Sequence, residues 1–363
     1  MRSRRQFLAG ITTIGTGALL GCGGGNDSNE TVAAQEGGGQ GQPVSPLMQV
    51  GQGRRIDIHH HYAPKSWQDA MAKAGFGEVR GEWTPAKSIE EMDKGGTQTT
   101  MVSTGQFIWR LGPEMRQKLL IQGAREANEF GAKMVSDYPG RFGLWAALPL
   151  PEIDLTLKEI AYALDTLKAD GFGITTSWGR LYLGDPKFNP VLEELNRRNA
   201  VVYSHPGEPA CCLNMIPGLP PNPIEYGTDT TRMAMSLVVN KVPSRFPNIR
   251  FILSHAGGTT PFLIGRFDGP NSHRLDEPAP AGSVLEALRT FYYDTAATFN
   301  PAAMYATQKV MGVDKILFGT DYPYGDTPEI VKGLVDSGIF NEAELMKVYR
   351  ENALRLVPRL ATT

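Results

Sequence analysis

Eight short apolar segments, separated by stretches of helical length, constrain the fold of this chain more than any other feature. Strands that alternate with helices form parallel sheets with right-handed crossovers. The first segment, RRIDIH, is also not followed by the GxGxxG pattern of a dinucleotide-binding fold. The eight predicted strands cover residues 54–59, 99–104, 142–148, 172–176, 200–204, 249–254, 291–295 and 315–320.

The intervening stretches carry apolar residues at helical spacing, most clearly in residues 115–138 and 155–169. Eight strand–helix units in about 300 residues fit a closed barrel better than an open doubly wound sheet. We therefore predict an α/β fold, a (β/α)8 TIM barrel of the metal-dependent hydrolase type. The remaining predicted helices cover residues 190–198, 229–240, 301–311 and 344–357.

Histidines fall at the ends of these predicted strands. His59 and His61 end the first strand, and because side chains two residues apart share one face of a strand, both can point into the barrel mouth. His60 should then point towards the helices. His205 and His255 end the fifth and sixth strands. The carboxyl ends of barrel strands form the active sites of this fold.

Asp321 adds a carboxylate at the end of the eighth predicted strand, in the motif ILFGTDYPY. A single buried histidine is more often a core residue, and a single aspartate after a strand is more often a turn residue. Their convergence at one rim instead predicts one divalent metal ion, zinc or alternatively manganese. The sixth histidine, His273, lies in a polar stretch and is expected at the surface.

The first 22 residues are predicted to be an export signal rather than part of the fold. Arg4 and Arg5 precede an apolar run that is too short for a membrane span, and the pattern resembles a twin-arginine signal. The run ends in LLGC, which resembles a lipobox with Cys22 as the lipidated residue; a plain signal peptide is the alternative. Residues 23–53 are predicted to be a flexible linker, and residues 54–363 the barrel domain.

Charge and cysteine content exclude other classes. The chain has 36 basic and 38 acidic residues, so nucleic acid is not an expected partner. The predicted export signal would place the protein in the periplasm or on the membrane as a lipoprotein, where disulfides can form. Cys211 and Cys212 are nevertheless expected to remain unbonded, because adjacent cysteines strain a disulfide.

The set of strand-end residues resembles the amidohydrolase superfamily, in the amidohydrolase-related (amidohydrolase 2) branch. That branch includes aminocarboxymuconate-semialdehyde and resorcylate decarboxylases. Three stretches of residues 184–267 are most similar to the 6-methylsalicylate decarboxylase group: GDPKFNPVLEELNRRNAVVYSHPGEPACCLNMIPG, IEYGTDTTRMAMSLV and NIRFILSHAGGTTPFLIGRF.

The resemblance implies that His59, His61, His205 and Asp321 bind one metal ion. It implies that His255 is an acid/base residue, with Asp321 as a second candidate proton donor. The fourth strand ends in FGITTSWGR, without the lysine or glutamate of dinuclear members. The expected substrate is a small (hydroxy)aromatic or unsaturated carboxylic acid that loses carbon dioxide without oxidation. A homodimer or higher oligomer is also implied.

Aromatic and basic residues beyond the strand ends are candidates for the substrate pocket: Phe107, Trp109, Trp178, Arg180 and Tyr322, with Arg110 at the same rim. Packing under the loops is the alternative role for the aromatic residues. Two other functions remain open at this point. A metal-dependent hydrolase of an amide, ester or lactone would use the same ligands, and a binding lipoprotein would need no catalysis.

Overall fold

Eight parallel strands form a barrel in the computed structural model, which describes residues 45–73, 75, 82–104, 119–212, 215–268 and 283–362. Each strand coincides with a predicted segment, which confirms the TIM barrel. The barrel strands are β1 (Arg55–Tyr62), β2 (Thr97–Thr104), β3 (Phe142–Ala147), β4 (Gly171–Thr175), β7 (Val201–His205), β8 (Arg250–Leu253), β9 (Tyr292–Asp294) and β10 (Ile316–Leu317). Two short strands, β5 (Ser177–Trp178) and β6 (Leu181–Tyr182), form a separate antiparallel hairpin.

Helices occupy the connections between the strands. They are α1 (Lys65–Lys73), α2 (Pro85–Gly95), α3 (Ala124–Asp137), α4 (Ile153–Asp165), α5 (Asn189–Arg197), α6 (Gly227–Val239), α7 (Val242–Arg245), α8 (Thr260–Phe267), α9 (Ser283–Leu288), α10 (Pro301–Met311), α11 (Thr327–Asp336), α12 (Glu342–Met346) and α13 (Asn352–Leu356). Turns of π-helix precede α3 and α6 and join α12 to α13, at Leu119–Gly123, Asn222–Tyr226 and Lys347–Glu351.

Backbone hydrogen bonds connect the last strand region to the first. Ile58 N donates to Phe318 O at 3.0 Å, and His61 N donates to Tyr322 O at 2.8 Å. In the other direction, Asp321 N donates to His59 O at 2.8 Å. These bonds place the predicted ligand Asp321 beside the predicted ligands of β1.

Two layers of apolar side chains hold the barrel together. The interior is filled by residues of alternating strand positions, including Ile56, Met101, Trp145 and Ile252. Trp145 is fully buried, and its indole N–H donates to Ile58 O at 2.9 Å. A second and larger cluster packs the strands against the surrounding helices. The barrel is therefore a filled core, and only its rim is available for chemistry.

Among the described residues, the sequence prediction missed the helices α1, α2, α7, α8, α9 and α11. In α1 only Trp67 and Met71 are buried. In α2 the large apolar residue that is buried is Met92, and the helix is instead delimited by its caps. Thr84 accepts from Lys87 N at its start, and Gly96 adopts a left-handed conformation at its end. Helices such as α1 and α2 carry little periodic signal, whereas α11 was missed although Ile330, Val331 and Leu334 are buried at helical spacing.

The structure describes the last part of the predicted linker, from residue 45, as packed chain. Pro46–Gln49 is a 3-10 helix, and Val50 is buried. The guanidinium of Arg55 explains this packing, because it donates to Met48 O and Val50 O at 2.7 Å each. Within the described residues, no helix is both long and apolar enough to cross a membrane.

The expectation that Cys211 and Cys212 would not bond is wrong, since the structure joins them in a vicinal disulfide. The local backbone turns at this point, with Cys212 N donating to Pro209 O at 3.1 Å. The turn brings adjacent side chains together that an extended chain would hold apart. The pair lies in the connection between β7 and α6 and is a local closure rather than a framework.

Candidate metal centre

The predicted ligands meet at the carboxyl end of the barrel. His59 and His61 lie on β1, His205 is the last residue of β7, and His255 lies two residues after the end of β8. Asp321 follows β10 and is the meeting point of the cluster. Its Oδ1 atom lies 3.0 Å from His59 Nε2, 2.9 Å from His61 Nε2 and 3.4 Å from His205 Nε2.

Spacing within this group suits a metal ion. Two nitrogen ligands at about 2.0–2.1 Å from a tetrahedral zinc ion lie about 3.3 Å apart. The Nε2 atoms of His59 and His61 are 3.3 Å apart. These Nε2 atoms and the Asp321 carboxylate oxygen that they face are mostly hydrogen-bond acceptors. The hydrogens between them are too few to pair them all. The donor set and its spacing therefore fit one divalent cation.

Each imidazole is held through its other ring nitrogen. His59 Nδ1 donates to Asp294 Oδ2 at 2.8 Å, and His205 Nδ1 donates to Pro206 O at 2.8 Å. Ser103 Oγ lies 3.2 Å from His61 Nδ1. With Nδ1 engaged, Nε2 remains the nitrogen that faces the centre, which is the usual arrangement around a bound metal.

His255 belongs to the same cluster but has a different exposure to the cavity. Single ligand atoms of His59, His205, His255 and Asp321 all lie within 4.8 Å of one another. The His255 ring centroid is 4.8 Å from that of His205. His255 also lines the adjoining cavity, whereas His59 does not. Geometry alone thus permits His255 either as a ligand or as a group that faces a bound molecule.

Backbone conformation at the rim is unusual at two of these positions. Asp321 has φ 62° and His255 has φ 53°, and Ala256 continues in the same region at φ 56°. Left-handed backbone is uncommon for residues other than glycine and is enriched at functional sites. At Asp321 it is stabilised by Tyr324 N and Gly325 N, which donate to Asp321 O at 2.7 and 3.1 Å.

Burial and neighbouring charges separate the protonation states of the histidines. Burial lowers the pKa of His205 well below its ordinary value, and it also lowers the pKa of His61, so both imidazoles are neutral. For His59, burial opposes the charge, but the carboxylates of Asp294 and Asp321 outweigh it and raise the pKa to about 10. A cation bound at Nε2 would displace that proton.

A cavity of about 810 Å³ opens beside the metal centre. His205, His255 and Asp321 form its floor. Its walls combine apolar and hydroxyl-bearing residues, as expected for a small organic ligand. They are Asn222, Pro223, Ile224, Tyr226, Gly227, Thr228, Gly258, Thr259, Ala297, Thr298 and Tyr324.

The substrate-pocket residues that were predicted from sequence and that the structure describes do not line this cavity. Trp178 is buried against Phe188, with ring centroids 5.3 Å apart, and Tyr322 stacks on His60 at 4.6 Å. Arg180 is exposed. These three residues are not among those that line the cavity, and their role in binding stays a prediction. Phe107, Trp109, Arg110 and His273 lie outside the described residues.

Two buried aspartates were not singled out from the sequence. Asp294 ends β9 in FYYDT and contacts His59. Its place at the end of a barrel strand is the sequence signal that could have identified it. Asp57 on β1 accepts from His59 N at 3.0 Å and from Thr320 N at 3.1 Å. His60 contacts both Asp57 and Ser88 of α2, which confirms that it points towards the helices.

A barrel of this topology, with imidazoles and a carboxylate gathered at the carboxyl ends of its strands, defines the class of metal-dependent TIM-barrel enzymes. The family model described as Amidohydrolase matches residues 56–359. The chain therefore belongs to the amidohydrolase family.

Individual relatives agree with this membership, and a solved structure shares the fold. The chain is 35% identical over 332 residues to "Decarboxylase yanB" of Aspergillus niger, covering 84% of this chain and 88% of the relative. It is 32% identical over 323 residues to "6-methylsalicylic acid decarboxylase" of Penicillium expansum, covering 84% and 97%. A dihydroxybenzoic acid decarboxylase from Polaromonas sp. JS666, solved with bound manganese and the inhibitor 2-nitroresorcinol, superposes with a TM-score of 0.73 at 23% identity, covering 84% and 96%.

Proposed function

We propose that the protein is a metal-dependent decarboxylase of a small aromatic carboxylic acid, with a hydroxybenzoate similar to 6-methylsalicylate as substrate. The observation that carries this proposal is the metal centre at the floor of a cavity of about 810 Å³, a size that admits a single aromatic ring with its substituents. The decarboxylase relatives, aligned over 84% of the chain, support the same reaction.

The ligands in this proposal are His59, His61, His205 and Asp321. A bound divalent ion would supply positive charge that attracts the carboxylate or phenolic oxygen of the substrate and stabilises negative charge during the reaction. Zinc is the proposed ion, because three imidazoles and one carboxylate suit it. Manganese is the alternative, since it is the ion bound in the similar Polaromonas structure.

His255 is the proposed proton donor, because it faces the cavity while the ligands of β1 do not. The ring carbon that bears the carboxylate takes a proton from the imidazolium, so that a C–H bond forms and the ring briefly loses aromaticity. The bond to the carboxylate then breaks, its electron pair restores the aromatic ring, and carbon dioxide leaves. His255 regains its proton from water. Asp321, which also lies on the cavity floor, is the second candidate donor.

A panel assay tests this function directly. Purified protein loaded with zinc or manganese is incubated with salicylates, dihydroxybenzoates and, in parallel, aryl esters, amides and lactones. Release of carbon dioxide from one or more acids, with the matching phenol as product, is the expected result. Turnover of esters, amides or lactones without carbon dioxide release would instead identify a hydrolase. Binding of acids without any turnover would identify a binding protein.

We also propose that the protein is exported and tethered through a lipidated Cys22, on the basis of the Arg4–Arg5 pair and the LLGC sequence. Fractionation of cells that express the full chain tests this. An Arg4→Lys, Arg5→Lys variant should stay in the cytoplasm, and Cys22→Ala should be found in the soluble periplasmic fraction. A homodimer or higher oligomer is proposed by resemblance to the family and is tested by light scattering.

A further inference from the structure

All of the described hydrogen bonds of the Asp294 side chain lie within the metal centre. It ends β9 and is fully buried. Its Oδ2 atom accepts from His59 Nδ1 at 2.8 Å. Its Oδ1 atom accepts from the backbone N–H groups of His255 at 2.8 Å and Ala296 at 3.1 Å. One carboxylate thus contacts both a proposed metal ligand and the segment that carries the proposed proton donor.

The contact with His59 fixes which nitrogen of that ring is free. Because the carboxylate accepts, Nδ1 must carry the hydrogen, and in the neutral ring Nε2 then presents its lone pair to the centre. That is the form in which imidazole binds a metal. A carboxylate behind a ligating histidine also orients the ring and increases its basicity as a ligand.

The contacts with His255 and Ala296 fix the donor from both sides. His255 and Ala256 have left-handed backbone conformations, at φ 53° and 56°. These conformations are strained for residues other than glycine, and a change to another conformation would relieve the strain. The bond from His255 N to Asp294 anchors this segment. The ring is held at its other end, since His255 Nδ1 donates to Ala296 O at 3.0 Å, and Ala296 N donates back to Asp294.

We propose that Asp294 is a positioning residue that couples the metal ligand His59 to the proton donor His255. Removal of its acceptor atoms should disturb both the affinity for metal and the placement of the proton donor. The coupling to His255 rests on the decarboxylase function proposed above, whereas the effect on metal binding does not.

The test compares Asp294→Asn with Asp170→Asn as a matched control. Asp170 is also a buried carboxylate, with 3% of its side chain exposed, but it pairs with Arg359 and accepts from Leu144 N, away from the metal centre. The asparagine at 294 keeps the shape of the side chain. If its oxygen accepts from the backbone N–H groups, its NH₂ group faces His59 Nδ1 and favours the tautomer with hydrogen on Nε2, which cannot bind metal.

The zinc dissociation constant is measured for each variant by competition with a chromophoric chelator, and kcat and KM are measured at saturating zinc. Relative to Asp170→Asn, we expect Asp294→Asn to weaken zinc binding by about 10–100-fold. At saturating zinc, we expect kcat to fall by about tenfold or more, with KM within about threefold, because misplacement affects the transition state more than binding.

Zinc affinity and kcat equal to those of Asp170→Asn would overturn the proposal. Weaker zinc binding with unchanged kcat at saturation would overturn the link to His255. If circular dichroism showed that Asp294→Asn and Asp294→Ala were both unfolded even in excess zinc, the residue would be structural and the proposal would fall. If the unaltered chain bound zinc but decarboxylated nothing, the proposed function would fail, and zinc affinities would still decide the role at His59.

Discussion

Gly319 provides the space in which His59 and Asp294 meet, and Gly319→Ala is expected to disrupt the metal centre by steric overlap alone. A Cβ atom at this position would lie 2.8 Å from His59 Cβ and 3.1 Å from Asp294 Cβ. Carbon atoms in favourable contact are about 3.5–4.0 Å apart, so one side must move by about 0.7 Å or more. The backbone is held in place, because Gly319 N donates to Thr295 Oγ1 and Thr295 Oγ1 donates to Gly319 O, each at 3.1 Å.

The size of the effect follows from this geometry. Overpacking of a filled core costs about 1–3 kcal/mol of unfolding free energy. Functional groups must be held within about 0.5 Å, so the displacement exceeds what a metal ligand tolerates, and disturbed support of a ligand weakens metal binding by about 10–100-fold. We expect both effects for Gly319→Ala, measured by urea unfolding of the metal-free chain and by zinc competition with a chelator.

Gly265→Ala is the matched control. Gly265 lies in α8, and a Cβ atom there would meet no atom within 4 Å. The same substitution should stabilise the helix by about 0.5–1 kcal/mol and leave zinc binding unchanged. An unfolding free energy for Gly319→Ala within about 0.5 kcal/mol of the unaltered chain, together with equal zinc affinity, would refute the steric argument.

Three further predictions concern the donor, the metal and the amino-terminal packing. His255→Asn should lower kcat by about 10²–10⁴-fold while metal content, measured by plasma emission, stays at that of the unaltered chain; loss of the metal would make His255 a ligand. Removal of the ion with a chelator should abolish carbon dioxide release and lower the melting temperature, and zinc or manganese should restore both; activity that survives complete removal would contradict a metal-dependent reaction. Arg55→Leu should lower the free energy of urea unfolding by about 2–4 kcal/mol, because the buried Arg55 donates to Gly95 O, Met48 O and Val50 O. As a control, Arg197→Ala at an exposed position should lower it by less than about 1 kcal/mol. Equal losses for the two variants would show that the Arg55 bonds contribute little.

The barrel was predictable because its strands are short apolar segments that alternate with stretches of helical length along the sequence. The convergence of His59, His205 and Asp321 was predictable too, since parallel strands deliver their last residues to one rim. Asp294 lies at an equally informative position, but a single aspartate at a strand end has many other roles. Its partner atom on His59 is 235 positions away along the chain, a contact that no local pattern encodes.

The cavity walls were less predictable for a related reason. Trp178 and Tyr322 follow strand ends, yet neither lines the cavity: Trp178 packs against Phe188, and Tyr322 stacks on His60. Wall residues such as Ile224 and Thr298 come instead from the connections after the strands. The path of such a connection depends on packing between distant segments, and adjacent cysteines at 211 and 212 were misjudged for the same reason. Strand periodicity carries no information about these paths.

The pairing of β1 with the segment after β10 has a consequence for the order in which the molecule comes apart. The two residues of β10 pair with β9, so β1 is joined to the last strand region by a few backbone bonds from the residues that follow β10. An ion bound by His59, His61 and Asp321 would link the first strand of the barrel to the segment after its last strand. Loss of the ion would then separate the barrel first between β1 and the last strand region, while the strand pairs on the opposite side stayed hydrogen-bonded.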